Sequence, residues 1–151
     1  MSSEELRARV EASGLWRLLG MRVKSAGGGR AELEVTLSDR LREPHGGAAN
    51  GVVCAMIDSA VGVAIATRLE PHLRPVTVQL RVSHLLTAET DDLTAAARVV
   101  HLDGEVGVGT AEVRDAKGRL VAHGTATYLI GSSRPGGGGP ALSGDTGPAI
   151  P

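Results

Sequence analysis

Residues 51–69, reading GVVCAMIDSAVGVAIATRL, form a long apolar run of small side chains that carries a single carboxylate, Asp58. A run of this length without proline is a helix, and a helix apolar on all sides belongs inside something. An aspartate there must lose its charge or find partners, because an unpaired buried charge is very costly. Packing needs alone rarely put one in such a place, so Asp58 is the residue that any functional reading has to explain.

The whole chain has 151 residues, enough for one domain with a substantial core. Its 16 basic and 17 acidic residues give a net charge of -1. That leaves no electrostatic footprint for a nucleic acid or an acidic membrane surface, so neither is expected as a partner. The apolar run is broken by Asp58 and Arg68 and is rich in Gly and Ala, which makes it a poor membrane span. Cys54 is the only cysteine and cannot form an intrachain disulfide, so a reducing compartment and an inert core thiol are expected. The chain does not open on a basic, then apolar, then small-residue pattern, and the expected location is cytoplasmic.

Along the chain, Ser2 or Ser3 followed by Glu4 and Glu5 reads as a helix start, and Gly14 reads as its end. Trp16, Leu18 and Leu19 follow as a short apolar plug, so residues 1–19 make an N-terminal helix and plug. Residues 21–26 begin a strand, three glycines turn the chain, and residues 30–37 alternate cleanly between apolar and polar. These two strands form a hairpin. A polar loop, 38–50, leads into the central helix with Asn50 as its N-cap. Beyond Pro71 and Pro75, residues Val76, Val78, Leu80, Val82, His84 and Leu86 are expected on one strand face. Segments 93–102, 106–114 and 119–130 read as three more strands of an antiparallel meander, with turns at Asp103-Gly104 and at residues 115–118. From Gly131 the composition turns to Gly, Pro and Ser, which predicts a domain over 1–131 and a disordered tail over 132–151.

The fold class expected is α+β, a curved antiparallel sheet wrapped around one long central helix. One sheet covers such a helix only in part, so a second copy of the chain is the natural partner, giving a two-fold dimer.

The helix with Asp58, the strand PVTVQLRVSHL and the terminal strands GTAEVRDAKGRLVAHGTATYLI together resemble the hotdog-fold thioesterases, in particular the phenylacetyl-CoA thioesterase-like group. The resemblance spans residues 15–130. It implies a hotdog fold, hydrolysis of an acyl thioester such as acyl-CoA without cofactor or metal, and a homodimer that can pair into a tetramer. The family signature is His-Gly-Gly at the helix start with an acidic residue nine positions after the His. Counting back from Asp58 lands on Ala49, so Ala49-Asn50-Gly51 fills the signature without its His. A literal His45-Gly46-Gly47 lies four residues earlier, and its ninth position is Cys54, so the Asp58 register is preferred. His45 then falls where relatives carry polar residues lining the site. Relatives also have an aromatic where His84 stands, and basic residues where this chain has Asp103 and Glu105.

Thioester hydrolysis needs a polarised carbonyl together with an activated water or a nucleophile. A helix start offers unpaired N–H groups to a developing oxyanion, a role assigned to the backbone of Asn50 or Gly51. Asp58 lies about two turns further on and cannot meet the same carbonyl on one chain. The resemblance, in which the carboxylate comes from the neighbouring subunit, resolves this. Asp58 acts as nucleophile or as general base, with a buried carboxylate satisfied by Ser59 or backbone donors as the plain alternative. Ser59, His45 and His84 are candidate substrate-binding residues. Against them stand a helix-interior serine bonded to its own backbone, a solvated loop histidine and a core histidine respectively. The histidines lack metal-ligand spacing and no G-x-S-x-G occurs. The remaining alternatives are a thioesterase acting on carrier-protein thioesters, which Asp103 and Glu105 disfavour if they flank the entrance, and a non-catalytic acyl-CoA-binding module.

Overall fold

The computed structural model describes residues 2–132. Its elements are α1 (Ser3–Glu11), α2 (Gly14–Leu19), β1 (Arg22–Gly27), β2 (Arg30–Thr36), a 3-10 turn (Asp39–Leu41), α3 (Asn50–Ala66), β3 (Leu73–His84), β4 (Asp92–Leu102), β5 (Val106–Asp115) and β6 (Leu120–Ser132). β6 takes in Ser132, one residue past the expected domain boundary, and the rest of the expected tail lies outside the described residues.

The six strands make one antiparallel sheet in the order β1-β2-β4-β5-β6-β3, and α3 lies against one face of it. The hairpin of β1 and β2 is as expected, turned by Gly28 and Gly29 at positive φ. The alternation read in β2 is real: Ala31, Leu33 and Val35 are buried. The meander holds only for β4, β5 and β6. β3 does not join β4 but crosses to pair with β6, which leaves its other side as a free sheet edge. The helix sits close to the sheet because β5 and β6 carry glycine beneath it. A Cβ on Gly109 would come within 2.5 Å of Val61, and one on Gly124 within 2.9 Å of Ile57.

Four local expectations need correction. Gly14 does not merely end the first helix: α1 closes at Ala12, and Gly14 opens the short helix α2, closed in turn by Gly20 in the left-handed region. Of the supposed plug, Trp16 and Leu19 are buried while Leu18 is exposed. Asn50 is not the N-cap. Ala49 is the cap, at φ -57 and ψ 136 with no side-chain cap bond, and Asn50 is the first helical residue. Lastly, β3 does not keep one face. A bulge between Thr77 and Gln79 shifts the alternation, so Thr77 pairs with Tyr128 on the helix side and Val76 pairs with Leu129 on the other.

At the start of α1, Ser2 accepts from Glu5 N–H and Glu5 accepts from Ser2 N–H, a reciprocal cap that satisfies two otherwise orphaned donors. The core lies between α3 and the sheet, around Leu33, Val35, Met56, Ile57, Val61, Ile65, Leu93 and Val113. α3 is not covered all round. Gly51, Cys54, Ala55, Asp58, Ser59 and Gly62, spaced by three and four, form an outward stripe of its smallest and most polar residues. No helix among the described residues is long and apolar enough to cross a membrane.

Candidate active site

Asp58 sits mid-helix in that half-buried stripe, and β3 and β6 hold one of its oxygens. Thr77 Oγ1 donates to Oδ1 at 2.8 Å, and the Tyr128 hydroxyl lies 2.7 Å from the same oxygen. Tyr128 is also within hydrogen-bond distance of the Asp58 carbonyl, and its single proton serves one of these acceptors at a time. Burial first, and then the charge and hydrogen bond of Asp58, push the Tyr128 pKa far up, so the phenol stays a donor at any working pH. Gly62 makes room for the ring, since a Cβ there would lie 3.0 Å from the hydroxyl. With Oδ1 occupied, Oδ2 has no hydrogen-bond partner among the described residues. Asp58 lines a cavity of about 260 Å³ together with Arg9, Trp16, Ser59 and Arg74.

The partners of Asp58 are therefore not Ser59 or backbone donors, as the plain alternative had it, but two hydroxyls from different strands. Thr77 and Tyr128 were missed in the sequence. Tyr128 carried a faint signal, being the only tyrosine of the chain and an inward residue of β6. Thr77 carried none, because only the bulge turns it inward.

At the other end of α3 lies a second cavity, of about 370 Å³, lined by His45, Gly46, Asn50, His84 and Thr87 among others. Val52 N–H bonds to the Ala49 carbonyl at 2.9 Å, whereas the Asn50 and Gly51 N–H groups have no acceptor among the described residues. Two free donors at the start of a 17-residue helix make an anion-seeking corner. The literal His45-Gly46-Gly47 is a turn, with Gly46 and Gly47 at φ 88 and 79, and Glu43 N–H bonded to the Gly47 carbonyl at 3.1 Å. A Cβ on Gly47 would strike the Thr87 methyl at 2.4 Å, so those glycines serve the turn and not the helix start.

The structure thus brings His45, Asn50 and His84 to one cavity and Asp58 and Ser59 to another. His84 is exposed, not a core residue, and its Nε2 stands 3.8 Å from Cys54 Sγ. Cys54 is half-buried, where a core thiol had been expected. Asp103 and Glu105 line neither cavity. Asp103 builds the β4–β5 turn instead: the N–H groups of Val106 and Glu105, then the His101 ring, lower its pKa to about 2.

The sequence profile of the thioesterase superfamily matches residues 45–122 of the chain. A 1,4-dihydroxy-2-naphthoyl-CoA hydrolase of Listeria monocytogenes is 21% identical over 121 residues, covering 80% of this chain and 98% of that protein. Among solved structures, a thioesterase family protein from Silicibacter pomeroyi superposes with a TM-score of 0.81 at 28% identity, over 86% of this chain and 98% of its own. A conserved protein of Pseudomonas aeruginosa does so at 0.77 and 25%, over 85% and 99%. With a central helix on a six-stranded antiparallel sheet and a profile match over more than half its length, the chain belongs to the thioesterase superfamily, a thioester hydrolase of the hotdog fold.

Proposed function

We propose that the protein hydrolyses acyl-CoA thioesters to the free acid and CoA, in a homodimer where each site combines the α3 start of one chain with Asp58 of the other. The observation that carries the reading is the state of Asp58. One oxygen is held by the Thr77 hydroxyl with the Tyr128 hydroxyl beside it, and the other has no partner among the described residues, in a side chain that lines a cavity, an arrangement that orients a carboxylate for reaction. The Listeria relative, a hydrolase of a CoA thioester, supports CoA as the thiol carrier.

Along α3 the Asn50–Gly51 donors and Asp58 are about 12 Å apart, too far to meet one carbonyl within a chain. Antiparallel pairing of two copies removes the difficulty. The surface to do so is available: the free edge of β3, with Val78 and Leu80 exposed, and the outward stripe of α3.

In the reaction, the thioester oxygen takes the corner of free N–H groups as negative charge develops on it. Asp58 Oδ2 either draws a proton from the attacking water or adds to the carbonyl carbon itself. Collapse of the tetrahedral species breaks the C–S bond, and the thiolate takes up a proton that the water gives up; on the nucleophilic route the acyl–Asp58 anhydride left behind is then hydrolysed by water, which frees the acid and restores Asp58. An apolar acyl group suits the Val, Ala and Trp side chains in the Asp58 cavity. We place the protein in the cytoplasm, where its single thiol stays reduced.

The test is Asp58→Asn, which keeps size and hydrogen bonding but removes the charge. Across a panel of acyl-CoA thioesters, kcat is expected to fall at least about 100-fold, with the light-scattering mass and melting temperature nearly unchanged. Full activity in this variant would sink the mechanism.

A further inference from the structure

Two arginines line the Asp58 cavity, and the mechanism above uses neither. Arg9 comes from α1 and Arg74 from the start of β3, and both are half-buried. Arg9 makes no hydrogen bond or ion pair among the described residues. Arg74 uses one terminal nitrogen on the carbonyls of Pro71 and Leu73 of its own loop, leaving the rest of its guanidinium free. Of the acids on α1, Glu5, one turn before Arg9, accepts from the Ser2 N–H at 2.8 Å, and Glu11 accepts from the Val23 N–H at 2.9 Å. Asp58, the single carboxylate of the cavity, is engaged with hydroxyls and makes no ion pair with either arginine.

Two cations that share a half-buried hollow with a single carboxylate, and make no ion pair with it, repel each other and lose hydration. Burial, and after it the like charge of Arg74, hold the Arg9 guanidinium below its ordinary pKa. An anion bound between them would relieve both costs, and arginine's planar fork is matched to a carboxylate. The strand spacing bounds how far such an anion would lie from Asp58. Arg74 precedes Thr77, the residue that holds Asp58, by three positions, about 10 Å along an extended strand. Trp16, Val10, Val63 and Pro75 supply apolar wall around the same cavity.

From this we propose that the preferred substrates are thioesters whose acyl group is apolar in the middle and ends in a carboxylate, with Arg9 and Arg74 binding that distal carboxylate while Asp58 faces the thioester. The inference rests on the function proposed above and names its substrate class.

The test compares adipoyl-CoA with hexanoyl-CoA, equal in chain length and different in the terminal group. The wild-type protein is expected to favour adipoyl-CoA in kcat/KM by about tenfold or more, the worth of a charge-assisted hydrogen-bonded pair. Arg9→Met and Arg74→Met should each cut that ratio severalfold, and together bring it to one or below. Because the readout is a ratio on one enzyme preparation, any general loss of activity cancels. Turnover of hexanoyl-CoA at least as good as that of adipoyl-CoA in the wild type would overturn the proposal and leave the function standing. A preference that survives both substitutions would overturn the assignment to these arginines. No turnover of either thioester, nor of any other in the acyl-CoA panel, would remove the function and the proposal together.

Discussion

The difference between Asn50 as a cap and Asn50 as the first helical residue decides which backbone donor can be tested. Ala49, at φ -57 and ψ 136, already holds the extended conformation that a residue before proline requires. The first helical position is where proline is best tolerated, because its missing N–H has no helical acceptor there. Asn50→Pro should therefore delete one of the two free N–H groups while α3 stays intact. We expect an unchanged melting temperature and a kcat lower by about 100-fold or more, the usual worth of one oxyanion donor. An unchanged kcat in a folded protein would pass the role to Gly51. The sequence made Asp58 legible, because a carboxylate inside an apolar run is conspicuous. Its orienting partners were illegible, since Tyr128 and Thr77 come from strands 70 and 19 residues away.

Elements were readable where period or a turn signal ruled locally, as in the alternation of β2 and the Asp103-Gly104 turn. They were misread where a distant partner ruled. Nothing local to β3 says that it skips β4 for β6, and a one-residue bulge was enough to invalidate a face assigned by strict alternation. The β5–β6 turn shows how much one residue can hold. Asp115 is buried, accepts from Lys117 N–H and Arg119 N–H, and pairs with the Arg119 guanidinium at 2.8 Å. Burial alone would raise its pKa. The Arg119 side chain and the backbone donors outweigh burial and bring it below the ordinary 3.8. A lowered folded-state value means that the stabilisation is present above the unfolded pKa and lost as pH falls through the folded one. Asp115→Asn should thus lower the melting temperature by about 5–10 °C at neutral pH, with the gap to the wild type closing in acid. A gap that widened in acid would show that the ion pair is not what holds the turn.

At the scale of the whole molecule, the curved sheet around a helix was legible from element order and from one unusual helix. What the sequence suggested about the helix surface was too coarse. Only the fold shows that the stripe left outside contains Asp58 and that the two cavities open apart. A dimer through β3 and α3 is expected at micromolar concentration, and light scattering that finds an active monomer would refute it. The separation of the cavities carries a genetic consequence. If each site takes its carboxylate from one chain and its oxyanion donor from the other, a chain disabled at Asp58 and a chain disabled at Asn50 are defective for different reasons. Mixed and allowed to exchange, the two crippled proteins would form heterodimers with one doubly wounded and one whole site, and activity would rise well above that of either parent alone.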